Sequence, residues 1–149
     1  MIKVKRVEPV LIAVKEIDKA VEFFTKVLGA KFNPKFEEDD HILAPFMLGE
    51  TYLELAEPLL QDGPIDKFIK RKGEGVYCLS IQVDDLDITI AELEAQGLKV
   101  PYRQVVEQPV KTMTGTIWKK VAVTDPRETF GVLLYFGETV DEKKIFLRS

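Results

Sequence analysis

One pattern is written twice in this chain, and it restricts the possible folds more than any other feature. Val14-Lys15-Glu16-Ile17-Asp18 and Val83-Asp84-Asp85-Leu86-Asp87 correspond position by position, Val21 and Phe24 answer to Ile90 and Leu93, and each copy runs to a glycine, Gly29 or Gly97. The residues before each copy, Val7 to Val14 and Val76 to Val83, alternate as a strand does; those after it carry apolar side chains at helical spacing. Val14 and Val83 are 69 positions apart, a period beyond the solenoid range, and 149 residues hold only two copies. The spacing predicts a duplicated strand-helix unit whose halves pair across a pseudo-twofold.

The rest of each half reads as strands. In the first, Pro9 lies near the start of a strand ending at Val14, where a missing backbone donor is tolerable. Asp18 is placed to cap a helix from about Lys19 to Leu28, with Ala20, Val21, Phe24, Val27 and Leu28 as its buried stripe. A second strand is expected over Lys31 to Phe36, then a solvated acidic turn at Glu37-Glu38-Asp39-Asp40, then a hairpin of His41 to Leu48 and Thr51 to Ala56 turning at Gly49-Glu50. Glu57 to Gly75 is a joint with a short helix from about Ile65 to Arg71, whose basic run Lys70 to Lys72 either complements the helix C-terminus or meets a ligand phosphate. The second half repeats the plan: Val76 to Val83, a helix from about Leu86 to Gln96, then strands at Lys99 to Val106, Ile117 to Thr124 and Val132 to Phe136. Glu107 to Thr116 reads as a long loop of the kind that lids a pocket.

Composition narrows the class. An apolar fraction of 46%, a charged fraction of 31% and a net charge of −4 describe an ordinary soluble protein and argue against a general nucleic-acid binder. A lone cysteine, Cys78, forms no internal disulfide and fits a reducing compartment. Glu8 and Pro9 interrupt the apolar N-terminal stretch, so it is read as a strand and not as a targeting signal. No run approaches the ~18 apolar residues of a membrane span. A cytoplasmic protein with no membrane partner is the expectation.

Strand alternation sorts the side chains into a helix-covering face and a face left to a concave sheet. Val10, Ile12 and Val14 go with the first helix, which leaves Pro9, Leu11 and Ala13; Leu79, Ile81 and Val83 go with the second, which leaves Val76, Cys78, Ser80 and Gln82. Leu53 and Leu55 oppose Tyr52, Glu54 and Ala56, and Val132, Leu134 and Phe136 oppose Leu133 and Tyr135. Glu54 stands out, because a carboxylate between two leucines in mid-strand points either at water or at a functional cavity. His41, opening its strand after the acidic turn, and Trp118, beside the long loop, are further candidates to line a ligand.

Four segments carry a family resemblance: LIAVKEIDKAVEFFTKVLGAKF (Leu11 to Phe32), LGETYLELAEPL (Leu48 to Leu59), PIDKFIKRKGEGVYCLSIQVDDLD (Pro64 to Asp87) and VAVTDPRETFGVLLYF (Val121 to Phe136). In this order they resemble the vicinal oxygen chelate superfamily of glyoxalases, extradiol dioxygenases and antibiotic resistance proteins, and within it the methylmalonyl-CoA epimerases. The resemblance implies an α+β fold, two tandem βαβββ modules forming a curled eight-stranded mixed sheet around a cavity. It fits a single domain over 1–149, with module 1 at about 5–58, a linker helix at about 59–73 and module 2 at about 74–137. It also implies a homodimer and a metal held by residues from the first and last strands of each module. In the epimerases those positions carry two histidines, a glutamine or glutamate, and a glutamate. Here they are Pro9, Cys78, Glu54 and Tyr135, and the position of an acidic proton-transfer group falls near Leu43.

Only Glu54 of that set is retained, and one carboxylate with a thiol and a phenol is not the octahedral oxygen set such an ion takes. The expected function is a glyoxalase-like protein that needs no cofactor and binds a small organic or acyl-CoA-like ligand. Glu54 and Tyr135 are its catalytic candidates, and Cys78, Pro9, His41 and Trp118 its ligand-binding ones. If catalytic, it is an epimerase, isomerase or lyase. Two alternatives stand beside this: a divalent-metal enzyme with Glu54, Cys78 and His41 as rearranged ligands, and a non-catalytic protein that sequesters its ligand.

Overall fold

The computed structural model describes residues 1–38 and 40–141, with the backbone alone for 107–111. It is an α+β chain with the element order β1 (Val4–Ala13), α1 (Ile17–Leu28), β2 (Lys31–Phe32), β3 (Phe36–Glu37), β4 (His41–Leu48), β5 (Thr51–Pro58), α2 (Pro64–Lys72), β6 (Gly75–Val83), α3 (Leu86–Ala95), β7 (Tyr102–Lys111), β8 (Thr116–Val123) and β9 (Leu133–Asp141). The chain falls into two compact units, an N-terminal one of Pro9–Cys78 and a C-terminal one of Met1–Glu8 with Leu79–Ser149. Each contains a strand, a helix and further strands.

In the N-terminal unit the strands run β2-β4-β5-β1, with β3 also on β4. β1 lies parallel to β5 with Leu11 opposite Glu54 and Ala13 opposite Ala56; β4 runs antiparallel to β5 with Pro45 opposite Glu54 and His41 opposite Pro58. The expected sorting of faces holds. Ile12, Val14, Leu53 and Leu55 pack with Ala44 and Phe46 against Ile17, Ala20, Val21 and Phe24 of α1. Phe46 is fully buried between Phe32, stacked at 4.6 Å, and Phe24 at 5.2 Å. Burying one such ring contributes roughly 2–3 kcal/mol. The opposite face, Leu11, Ala13, Leu43 and Ala56, is covered by Ile65, Phe68 and Ile69 of α2.

Several expectations are corrected here. α1 begins at Ile17 with Glu16 at its N-cap position and no side-chain cap from Glu16; Asp18 lies inside the first turn, paired with Lys35 at 2.7 Å. Val27 and Leu28 are exposed, since the apolar side chains beneath the helix are met by its first two turns. The expected strand from Lys31 to Phe36 breaks into β2 and β3 at Asn33-Pro34, where proline has no amide to donate to a ladder. Asp39 of the acidic turn lies outside the described residues.

In the C-terminal unit the order is β6-β9-β8-β7. Ile81, Val83, Leu134 and Phe136 pack with Ala122 against Leu86, Ile90 and Leu93 of α3, repeating the first core. Asp85 caps α3 by accepting from Ile88 N at 3.0 Å. β7 and β9 run longer than expected. The presumed lid at 107–116 is mostly strand, and only 112–115 turns between β7 and β8. The β7–β8 register shifts between Val105 and Val110, an irregularity of the kind a proline such as Pro109 requires in mid-strand.

Candidate functional site

Glu54 sits in the middle of β5 with Leu11 opposite it on β1 and Pro45 opposite it on β4. Residues directly opposite share a face, so the concave side of the N-terminal unit reads Pro9, Leu11, Ala13 across Tyr52, Glu54, Ala56 and His41, Leu43, Pro45. Burial pushes the Glu54 carboxyl above the usual carboxylate range, and the Glu38 charge pushes the same way. The Tyr52 hydroxyl, which donates to Glu54 Oε1 at 2.6 Å, and the more distant His41 draw it back down. A carboxyl raised in this way holds its proton to higher pH than an ordinary one, a property that suits a proton-transfer group.

The other candidates are spread over this frame. Pro9 is buried on the same face, two residues before Leu11. His41 is hydrogen-bonded through Nδ1 to Asp40, and its Nε2 lies 3.5 Å from Glu38 Oε2. It opens β4 four residues before Pro45, about 13 Å along the strand from the position opposite Glu54 at ~3.3 Å per residue. Cys78 is buried, 5% exposed, at the end of the N-terminal unit. Leu43, where the resemblance puts an acidic group, is a buried part of the apolar floor under α2.

Tyr135 and Trp118 belong to the C-terminal unit, where their rings lie 5.8 Å apart. Trp118 is buried flat against β9, and a Cβ added to Gly137 would come within 1.6 Å of its Cζ3. The glycine is therefore required by close approach. On the same face Gln82, completely buried, donates from Nε2 to the Glu8 carbonyl at 2.9 Å and accepts at Oε1 from Thr139 at 3.2 Å.

The donor set does not fit a divalent ion. Among the described residues no three His, Cys, Asp or Glu side chains gather where they could hold one. The rearranged set of Glu54, Cys78 and His41 is thus not assembled, because strand spacing separates Glu54 from His41 by far more than two metal–ligand bonds of ~2–2.6 Å.

Two helix-holding carboxylates escaped the reading of the sequence. Glu57 Oε1 on β5 accepts from Ile17 N at 3.0 Å, and Glu138 Oε1 on β9 accepts from Leu86 N at 3.0 Å. Each ties the first turn of a helix to the last strand of its own unit. The repeated offset could have revealed them: Glu57 follows Glu54 by three residues, as Glu138 follows Tyr135.

The sequence matches the Glyoxalase/Bleomycin resistance protein/Dioxygenase superfamily over residues 10–114. It is 33% identical over 135 residues to the uncharacterized protein YqjC of Bacillus subtilis (strain 168), covering 89% of this chain and 91% of that one. To the mitochondrial methylmalonyl-CoA epimerase of Homo sapiens it is 30% identical over 132 residues, covering 87% and 71%. The crystal structure of methylmalonyl-CoA epimerase from Mycobacterium tuberculosis matches with a TM-score of 0.73 at 25% identity, over 90% of this chain and 87% of that one.

Proposed function

This chain belongs to the glyoxalase/bleomycin resistance protein/dioxygenase superfamily, and on that premise we propose that it binds an acyl-CoA thioester and exchanges the proton beside the thioester carbonyl, with Glu54 as the proton-transfer group. The observation that carries this reading is the state of Glu54: a mid-strand carboxyl on the concave face, raised by burial and held by Tyr52 at 2.6 Å. The name of the human relative supplies the substrate class, since inverting a centre next to a thioester carbonyl means removing and returning a proton. Tyr52 orients the carboxyl, and Leu11 and Pro45 on the flanking strands give it apolar neighbours.

Leu11 and Pro45 offer no second base, and neither does Leu43. The reading is therefore of a one-base site that takes and returns the proton at one carboxyl, without an ion. Those apolar neighbours also favour a second reading, a protein that holds the thioester and does nothing further to it. Proton NMR in deuterium oxide separates the two. Chelator-treated protein is expected to wash deuterium into the α-position of propionyl-CoA or methylmalonyl-CoA, and Glu54→Gln to slow this by at least ~100-fold, the usual share of general acid–base catalysis. Binding without exchange, unchanged in the variant, establishes the second reading; exchange that needs added cobalt or magnesium refutes the ion-free site.

A further inference from the structure

The described polar side chains less than a tenth exposed, Ser80, Gln82, Thr89, Thr112, Thr116, Thr124 and Thr139, lie in the C-terminal unit, whereas Glu54 of the N-terminal unit is half-buried. Most are satisfied internally. Gln82 bonds Glu8 and Thr139, Thr89 bonds the Asp85 carbonyl at 2.8 Å, and Thr112 and Thr116 bond each other at 2.6 Å. Two hydroxyls have no hydrogen-bond partner among the described residues, and they differ. Thr124 Oγ1 is sealed from solvent, whereas Ser80, 5% exposed, keeps its Oγ within reach of a water-sized molecule.

The repeat says what Ser80 stands beside. In the N-terminal unit Leu11 lies opposite Glu54. The same pairing carried into β6 and β9 sets Ser80 beside Tyr135 and Gln82 beside Gly137, in keeping with the order of those strands and the bond from Thr139 to Gln82. The hydroxyl is then one strand from the Tyr135 ring, which Trp118 flanks at 5.8 Å. A nearly buried donor without a protein acceptor is met by what enters the site, water in the free protein and a ligand oxygen in its place.

We infer that Ser80 is the hydrogen-bond donor of a ligand subsite in the C-terminal unit, taking a carbonyl or carboxylate oxygen of an acyl group whose apolar part rests on Tyr135 and Trp118. This rests on the reading of the chain as an acyl-thioester binder and adds to it a contact in the C-terminal unit.

Calorimetric titration with acetyl-CoA and malonyl-CoA tests it on the whole chain. Ser80→Ala is expected to weaken acetyl-CoA about five- to tenfold, with a larger loss for malonyl-CoA if a charged oxygen is the acceptor, as befits one hydrogen bond removed. Thr124→Ala, which removes the sealed hydroxyl, is expected to leave both affinities within about twofold of the parent, a loss too small for a hydrogen bond to the ligand. A parent that binds the thioesters and a Ser80→Ala variant that binds them equally well overturn the subsite and leave the Glu54 reading standing. A parent that binds neither overturns that reading, and the subsite with it.

Discussion

The two units were built on one plan and then filled differently. In both, a carboxylate on the last strand, Glu57 or Glu138, accepts from the first amide of the helix at 3.0 Å. In both, the residue just before that carboxylate is small, Ala56 or Gly137, because something lies across the strand there. In the N-terminal unit the covering element is α2, through Ile65 and Ile69; in the C-terminal unit it is a single side chain, Trp118. Two positions further back stand Glu54 in an apolar setting and Tyr135 beside a hydroxyl-rich one, with two residues between each and its helix-capping carboxylate. The frame repeats because helix-to-strand attachment is needed twice, whereas the contents of the concave faces diverge because each can carry different chemistry.

The sharpest way to break this comparison is to make the two small residues alike. Gly137→Ala drives a methyl group into the indole and is expected to cost about 2–3 kcal/mol, as overpacking in a tight core does, while Ala56→Gly is expected to cost about 1 kcal/mol through backbone entropy. Urea unfolding of both measures it. A neutral Gly137→Ala contradicts the placement of Trp118, and combining it with Trp118→Leu is expected to recover part of the loss.

Next in size are the paired caps. Glu57→Ala and Glu138→Ala are each expected to cost about 1 kcal/mol, within the range for loss of a helix cap, and to raise amide exchange in the first turn of α1 and α3 respectively. Equal losses support the repeat of the device; a loss at one site alone shows that only one unit depends on it.

The smallest expected effect separates Glu54 from Tyr135 by pH. Burial raises the folded-state pKa of Glu54, so the charged form is disfavoured by folding: its contribution is intact below the ordinary glutamate value and is lost as pH rises through the raised one. Glu54→Gln is therefore expected to be more stable than the parent at pH 7, with the gain vanishing as pH falls to about 4, the reference range for glutamate. Tyr135→Phe is expected to show no such trend over that range. Thermal melts from pH 4 to 8 read both, and a flat difference for Glu54→Gln removes the case for a raised carboxyl.

The parts of this molecule that were readable in advance are those governed by local period. Ile12 and Val14 under α1, Ile81 and Val83 under α3, and Glu54 on the opposite face follow from alternation alone. What alternation misses is contact between distant residues. Glu57 and Glu138 looked like surface carboxylates until Ile17 and Leu86, 40 and 52 residues away, were brought to them. Val27 and Leu28 fit the helical stripe, yet only packing decides how far the sheet extends beneath a helix.

The sequence by itself determined the duplicated strand-helix plan, the face each strand turns to its helix, and the presence of one carboxyl where hydrocarbon was expected. Those are matters of period and residue type, set within a few residues of chain. The tertiary structure alone decided what closes over each concave face, α2 on one and Trp118 on the other, and which carboxylates hold helices and which sits among apolar neighbours. Those outcomes depend on which distant groups share a volume, and burial, hydrogen bonding and the resulting pKa are properties of that volume and not of the residue.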